Sequence, residues 1–239
     1  MMNNNEITLL LFIAHFLADY HLQSETLAMD KSSNYRSLAK HLGIHAIVLL
    51  TACLITLNVE LLSLFASVWL SHVIIDHIKI YLQARVQATL NTDKYFYIAD
   101  QILHIVAILY LSNVVFADLN HEITFLPTIY IQWLLLLVMV TKPANVTFKM
   151  LFSQYQNYEI SPKQSTTVAG AGAMIGNLER ILSAVFLSLN ALSSIGLIYT
   201  AKSIARFKLI EESQGFAEYY LIGTLYSILF VLISYYLIF

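Results

Sequence analysis

Apolar residues occur along this chain in blocks, near residues 7–23, 38–57, 61–82, 95–117, 125–141, 178–200 and 218–239, with polar stretches between them. Each block approaches the ~20 residues that a helix needs to cross roughly 30 Å of hydrocarbon. The pattern predicts an all-α, polytopic transmembrane helical bundle of about seven hydrophobic segments, six or seven of them crossing. Pro143 is expected to end the fifth segment, and Pro162 falls in the loop before the sixth. Residues 1–6 hold no Lys or Arg, whereas a cleaved signal peptide begins with a positive region, so residues 7–23 read as a retained first span. Tyr95, Tyr97, Trp133, Tyr219 and Tyr220 read as interfacial aromatics.

Composition agrees. Hydrophobic residues make up 58% of the 239 and charged residues only 12%, against a usual charged share of about a quarter. Mean hydropathy is +0.68. A soluble or disordered chain is excluded, and no basic stripe points to nucleic acid. The lone Cys53 rules out a disulfide framework or thiolate cluster. The expected partner is the lipid bilayer.

Lys and Arg placement orients the spans. Lys31, Arg36 and Lys40 cluster at the 23–38 loop, Lys79, Arg85 and Lys94 at the 83–94 loop, and Lys142, Lys149 and Lys163 in the 142–177 loop. The 58–60 turn and 118–124 loop have none. The first group faces the cytoplasm, which places the N-terminus outside. Lys202, Arg206 and Lys208 break the alternation after the sixth segment. Either they act on the outer face, or 178–200, interrupted by Asn190, Ser193, Ser194 and Gly196, is a re-entrant hairpin.

The chemistry lies in residues 1–117, read as a four-helix membrane domain; residues 118–239 read as C-terminal membrane helices with charged motifs. His15 and Asp19, His41 and His45, His72 and Asp76, and Asp100 and His104 occupy four successive spans, each pair spaced i, i+4. Such spacing puts both side chains on one helix face. Counted from the span ends, all eight fall in one layer roughly 5–15 Å below the cytoplasmic surface at 1.5 Å per residue. Five imidazoles and three carboxylates are a ligand set for zinc, with manganese or iron also suited.

Each Asp in a bilayer costs up to ~2.5–3.5 kcal/mol, and one structural zinc returns ~10–16 kcal/mol. Eight ligand-type groups exceed one tetrahedral ion, so one or two divalent ions are expected. Asp19, His45, Asp76 and His104 lead as ligands, and Asp100 is a bridging ligand or general base. Lys79 is a candidate catalytic or substrate-holding cation, with Gln23 and Gln101 beside the layer as further candidate substrate contacts. A proton or ion pathway is the rival, but the outer halves of these spans offer only Thr8, Thr51, Thr56, Ser63, Ser67, Ser112 and Asn113. His77 and His121 read as packing residues.

The run His15-Phe16-Leu17-Ala18-Asp19 with Gln23 and Lys31, then His41 and His45, then His72-Val73-Ile74-Ile75-Asp76 with Lys79, then Asp100-Gln101 with His104, resembles an uncharacterised bacterial inner-membrane family, a domain of unknown function. The resemblance covers about residues 7–110. The membrane-bound metal-dependent hydrolases of bacteria are similar more distantly, through His and Asp on successive helices. Other motifs are missing: His121-Glu122 lacks the second His of a zincin helix, and no Gly-x-Ser-x-Gly elbow or Gly-rich phosphate loop occurs. Asn145-Val146-Thr147 sits in a cytoplasmic loop, where it is no glycosylation acceptor.

In the second half, Gly172 and Gly176 have small-xxx-small spacing, expected to let helices pack closely. Arg180, Lys202 and Arg206 form a candidate site for an anionic headgroup. The expected function is metal-dependent hydrolysis of a lipid or other amphiphilic phosphate or acyl substrate. The alternatives are a metal-ion or proton-coupled transporter and a non-catalytic membrane scaffold.

Overall fold

Where the apolar blocks meet hydroxyl or amide side chains, helices begin. Asn34 caps the Arg36 N–H, Ser24 the Leu27 N–H and Ser213 the Phe216 N–H, and Thr89 with Thr92 forms a capping box. The computed structural model describes residues 6–119, 126–156 and 170–239, and among them every regular element is helical. His121, Glu122, Pro162 and Lys163 lie outside the described residues.

Contacts divide the chain into two units, Met1–Val138 and Met139–Phe239. The boundary falls within the fifth apolar segment. In the first unit, α1 (Glu6–Phe16) runs into a π-helical turn, Leu17–His21. Then follow α2 (Glu25–Asp30), α3 (Tyr35–Ile55), α4 (Leu62–Gln83) and α5 (Leu90–Tyr110) with a second π turn, Leu111–Val115. The next helix, α6 (Thr128–Val140), lies alongside α1: Thr128 meets Glu6 at one end, and the Val138 carbonyl meets His21 at the other. Leu11, Leu61, Leu64, Phe65, Ile108 and Leu136 form the unit's dry core.

The second unit holds α7 (Lys142–Phe152), α8 (Ala171–Ser188), α9 (Leu192–Ala205), α10 (Phe207–Glu212) and α11 (Gln214–Ile238). Pro143 does interrupt the fifth block: α6 stops at Val140, and α7 restarts with that proline in its first turn.

Among the described residues, five helical stretches are long and apolar enough to cross a membrane: Tyr35–Ile55, Val59–Gln83, Leu90–Val115, Thr128–Gln156 and Gln214–Ile238. Two of the seven expected segments are not among them. The first is cut short as a helix by its polar end. The sixth breaks at Asn190, which takes a positive φ of 53°; there the Asn190 N–H returns to the Leu187 carbonyl and the Ala191 N–H to the Phe186 carbonyl, a Schellman close. Ser183 then faces Tyr199 and Glu179 pairs with Lys202, so α8 and α9 form an antiparallel hairpin. An antiparallel pair is the geometry that the re-entrant reading of 178–200 requires.

With Cys53 replaced by Ala, a membrane-impermeant maleimide is expected to label Ala173→Cys and Lys208→Cys from one and the same face. Labelling from opposite faces would mean that 178–200 crosses.

The glycines of this unit serve side chains. A Cβ on Gly176 would lie 3.0 Å from the Arg180 Nη1, and one on Gly223 would lie 3.2 Å from the Phe148 ring, whereas Gly172 faces open space. Close packing at Gly176 therefore accommodates the guanidinium of its own helix.

Candidate metal centre

Four helices of the first unit bring the eight predicted residues to one place. His15 comes from α1, Asp19 from the π turn, His41 and His45 from α3, His72 and Asp76 from α4, and Asp100 and His104 from α5. A π turn at this point shifts the register by one residue, as π bulges at functional sites do, while keeping His15 and Asp19 on the same side. Seven of the eight are at most 4% exposed, and the Asp19 side chain is 7% exposed.

The distances carry the chemistry. One contact is a short hydrogen bond, His45 Nε2 to Asp19 Oδ1 at 2.6 Å. The rest are longer: His15 to Asp19 at 3.7 Å, His41 to Asp19 at 3.5 Å, His72 to Asp19 at 3.8 Å, His41 to Asp76 at 3.2 Å, His72 to Asp76 at 3.6 Å, His104 to Asp76 at 3.9 Å and His104 to Asp100 at 3.5 Å, all through Nε2. Most exceed hydrogen-bond range. They bracket the separation of about 3.4 Å between two ligands of a tetrahedral ion with bonds near 2.1 Å.

Ligand atoms within 4.8 Å of one another define three groups: His15, Asp19, His45 and His72; His41, His72 and Asp76; and Asp76, Asp100 and His104. These groups can hold a metal ion. The imidazoles stack, His45 on His72 at 3.6 Å and His72 on His104 at 4.2 Å between centroids.

Buried atoms without hydrogen-bond partners point the same way: His15 Nε2, His104 Nε2, both Asp76 carboxylate oxygens and Asp100 Oδ1. A buried carboxylate with neither oxygen hydrogen-bonded is costly and calls for a cation.

Two ammoniums reach this layer. Lys79 Nζ lies 2.9 Å from Asp100 Oδ2. Lys31, from the cap of α2, places Nζ 3.6 Å from Asp76 Oδ2 and 3.4 Å from His41 Nε2. Burial works against the Lys31 charge, but the carboxylates of Asp76, Asp19 and Asp100 outweigh it and hold its pKa above the ordinary lysine value. As a candidate site residue, Lys31 could not be read from helix periodicity, because it lies in a polar loop; its one signal was its place in the family-like run.

Gln101 donates to Asp19 Oδ2 and Asp100 Oδ2, both at 3.3 Å. With its amide oriented to suit both neighbours, Gln23 donates to the Asp19 carbonyl and accepts from the Ala28 N–H, so it braces the π turn. His77 bonds the Val73 carbonyl of its own helix, away from the site.

Beyond the imidazoles a cavity with room for about one water is closed by Leu49, Val68 and Ile108. The hydroxyls farther out turn back: Thr51 to the Ile47 carbonyl, Thr56 to Cys53, Ser63 to Glu60 and Ser67 to Ser63. Thr8, Ser112 and Asn113 bond one another.

In the second unit the expected headgroup cations have internal partners. Arg180 binds the Val140 carbonyl, Asn145, Asn177 and Ser227, and Lys202 binds Glu179. Neither bond set leaves an open cationic surface with Arg206.

The chain belongs to the family described as a protein of unknown function (DUF3307), which matches residues 7–149. The matched segment holds all eight ligand-type residues, both lysines, Gln23 and Gln101. No curated protein and no solved structure matches the chain.

Proposed function

We propose that this DUF3307 protein is a membrane-embedded, metal-dependent hydrolase, its centre lying in the cytoplasmic leaflet of a bacterial inner membrane with the N-terminus outside. Its substrate is a lipid or other amphiphile with a phosphate or acyl group. The observation that carries the reading is the spacing of the Nε2 and carboxylate oxygen atoms at 3.2–3.9 Å around Asp76, neither of whose oxygens makes a hydrogen bond. Zinc suits this donor set best, in one or two ions; manganese or iron would also be accepted. A divalent ion there supplies Lewis acidity, activating a water near neutral pH and stabilising charge on the displaced oxygen.

The chain's own groups do the rest. Asp100 keeps Oδ1 unpartnered while Lys79 and Gln101 hold Oδ2, which fits it to accept the proton of the attacking water. Leu49, Val68 and Ile108 close the far side against bulk water. That apolar plug, with hydroxyls turned to their own helices beyond it, favours a closed site over a transport path.

The test is metal content per chain by plasma mass spectrometry, on protein purified without added metal or chelator. One or two equivalents are expected. Folded protein that contains no metal and takes up none when supplied would sink the reading.

A further inference from the structure

The two ammoniums are out of place in a site that handles only neutral esters. Three carboxylates, Asp19, Asp76 and Asp100, face Lys31 and Lys79, which leaves the metal-free layer with a single net negative charge when the imidazoles are neutral. One divalent ion makes the layer net positive, and a second makes it strongly so. A bound ion would share the Asp76 and Asp100 carboxylates with the lysines, since both residues belong to one ligand group with His104. Each ammonium would then lie close to a dication and no longer have its carboxylate to itself. Buried charge of one sign is costly unless a counter-ion joins it.

A groove of about 260 Å³ is lined by Ser32 and Ile80, the chain neighbours of Lys31 and Lys79, together with Gln83, Thr92, Asp93 and Phe96.

Building on the hydrolase reading, we propose that the group recognised at this centre is a phosphate, and that Lys31 and Lys79 clamp its non-bridging oxygens against the metal. A phosphate offers several anionic oxygens at once, to metal and ammoniums together; an ester carbonyl carries no charge to balance them. Lys31 is thereby a binding residue as much as Lys79, although it comes from a loop.

The experiment uses the full chain, metal-loaded, in phosphatidylcholine nanodiscs, with orthophosphate binding followed by calorimetry. Lys31→Gln and Lys79→Gln are each expected to weaken phosphate about tenfold or more, the loss of one charge-assisted contact, with metal content retained. Lys31→Arg, which keeps the charge, should stay within a few-fold of the parent. Nanodiscs containing phosphatidic acid separate two sources of the same chemistry: competition with orthophosphate assigns a lipid headgroup, and binding without competition assigns a soluble phosphate compound. Either result supports the clamp. A loaded chain that ignores phosphate, or binds it equally in both Gln variants, overturns the clamp alone. A chain that takes up no metal overturns the hydrolase reading and the clamp with it.

Discussion

Asp76→Asn is expected to lower metal affinity more than 100-fold and to abolish any hydrolytic turnover, while His77→Ala, one residue along the same helix, changes neither. Asp76 belongs to two of the three ligand groups. Its Oδ2 faces His41, His72 and Lys31, and its Oδ1 faces His104. Replacement of residues that merely support metal ligands costs about 10–100-fold in affinity, so loss of a shared carboxylate should cost more. Asn keeps the volume but removes the charge and turns an amide N–H₂ toward the cation.

The sign of the stability change makes the test sharp. With metal at 100 times its dissociation constant, the parent gains about 2.7 kcal/mol that the variant lacks. Without metal the difference should shrink, because the parent then buries a carboxylate whose oxygens lack hydrogen bonds and are compensated only by ion pairing, Lys31 above all. Thermal unfolding of both proteins, each with and without metal, measures this. Destabilisation of equal size in both conditions would make Asp76 a plain structural acceptor and remove it from the metal set.

The centre was legible in the sequence because its geometry is helical. Four pairs at i, i+4 and similar depth can meet only in the interior of an antiparallel bundle, and His15, Asp19, His41, His45, His72, Asp76, Asp100 and His104 do meet there. Lys31 was not legible from spacing: its loop carries no period, and its reach depends on α2 folding back along α3, with Ser24 as cap. Gln23 stands one turn past Asp19 in the sequence, and its bonds to the Asp19 carbonyl and the Ala28 N–H, which tie it to the π turn, could not be read from that spacing.

The second half was read less well. Hydropathy shows that 178–200 is apolar, and a turn at Asn190 changes the topology without changing that sum. The interrupting polar residues gave the only hint of the hairpin.

Arg180 is where charge in a sequence misleads most, and it is also where the second unit is most vulnerable. Unfolding in detergent and denaturant is expected to show Arg180→Ala destabilised by about 3 kcal/mol, with Arg180→Lys recovering only part. The side chain is 3% exposed and its fork reaches four acceptors: the Val140 carbonyl, Ser227 Oγ at 3.2 Å, Asn145 Oδ1 at 2.6 Å and Asn177 Oδ1 at 2.9 Å. Two effects oppose each other on truncation. Removing a buried cation that no carboxylate pairs directly is favourable, since Glu179 is bonded to Lys202. Against it stand the acceptors left unpaired, each worth about 1–3 kcal/mol, and a cavity beside Gly176. Three orphaned acceptors (Asn177 Oδ1 keeps its bond from Asn145 Nδ2) outweigh one desolvated charge because a guanidinium spreads that charge over a plane and is weakly hydrated, which makes its burial cheaper than that of an ammonium. Lysine can reach one or two of the four and brings a more strongly hydrated charge, so its rescue is partial. An Arg180→Ala chain that unfolds like the parent but binds anionic lipid vesicles less well would reverse the assignment, returning Arg180 to the headgroup role that its charge alone suggested.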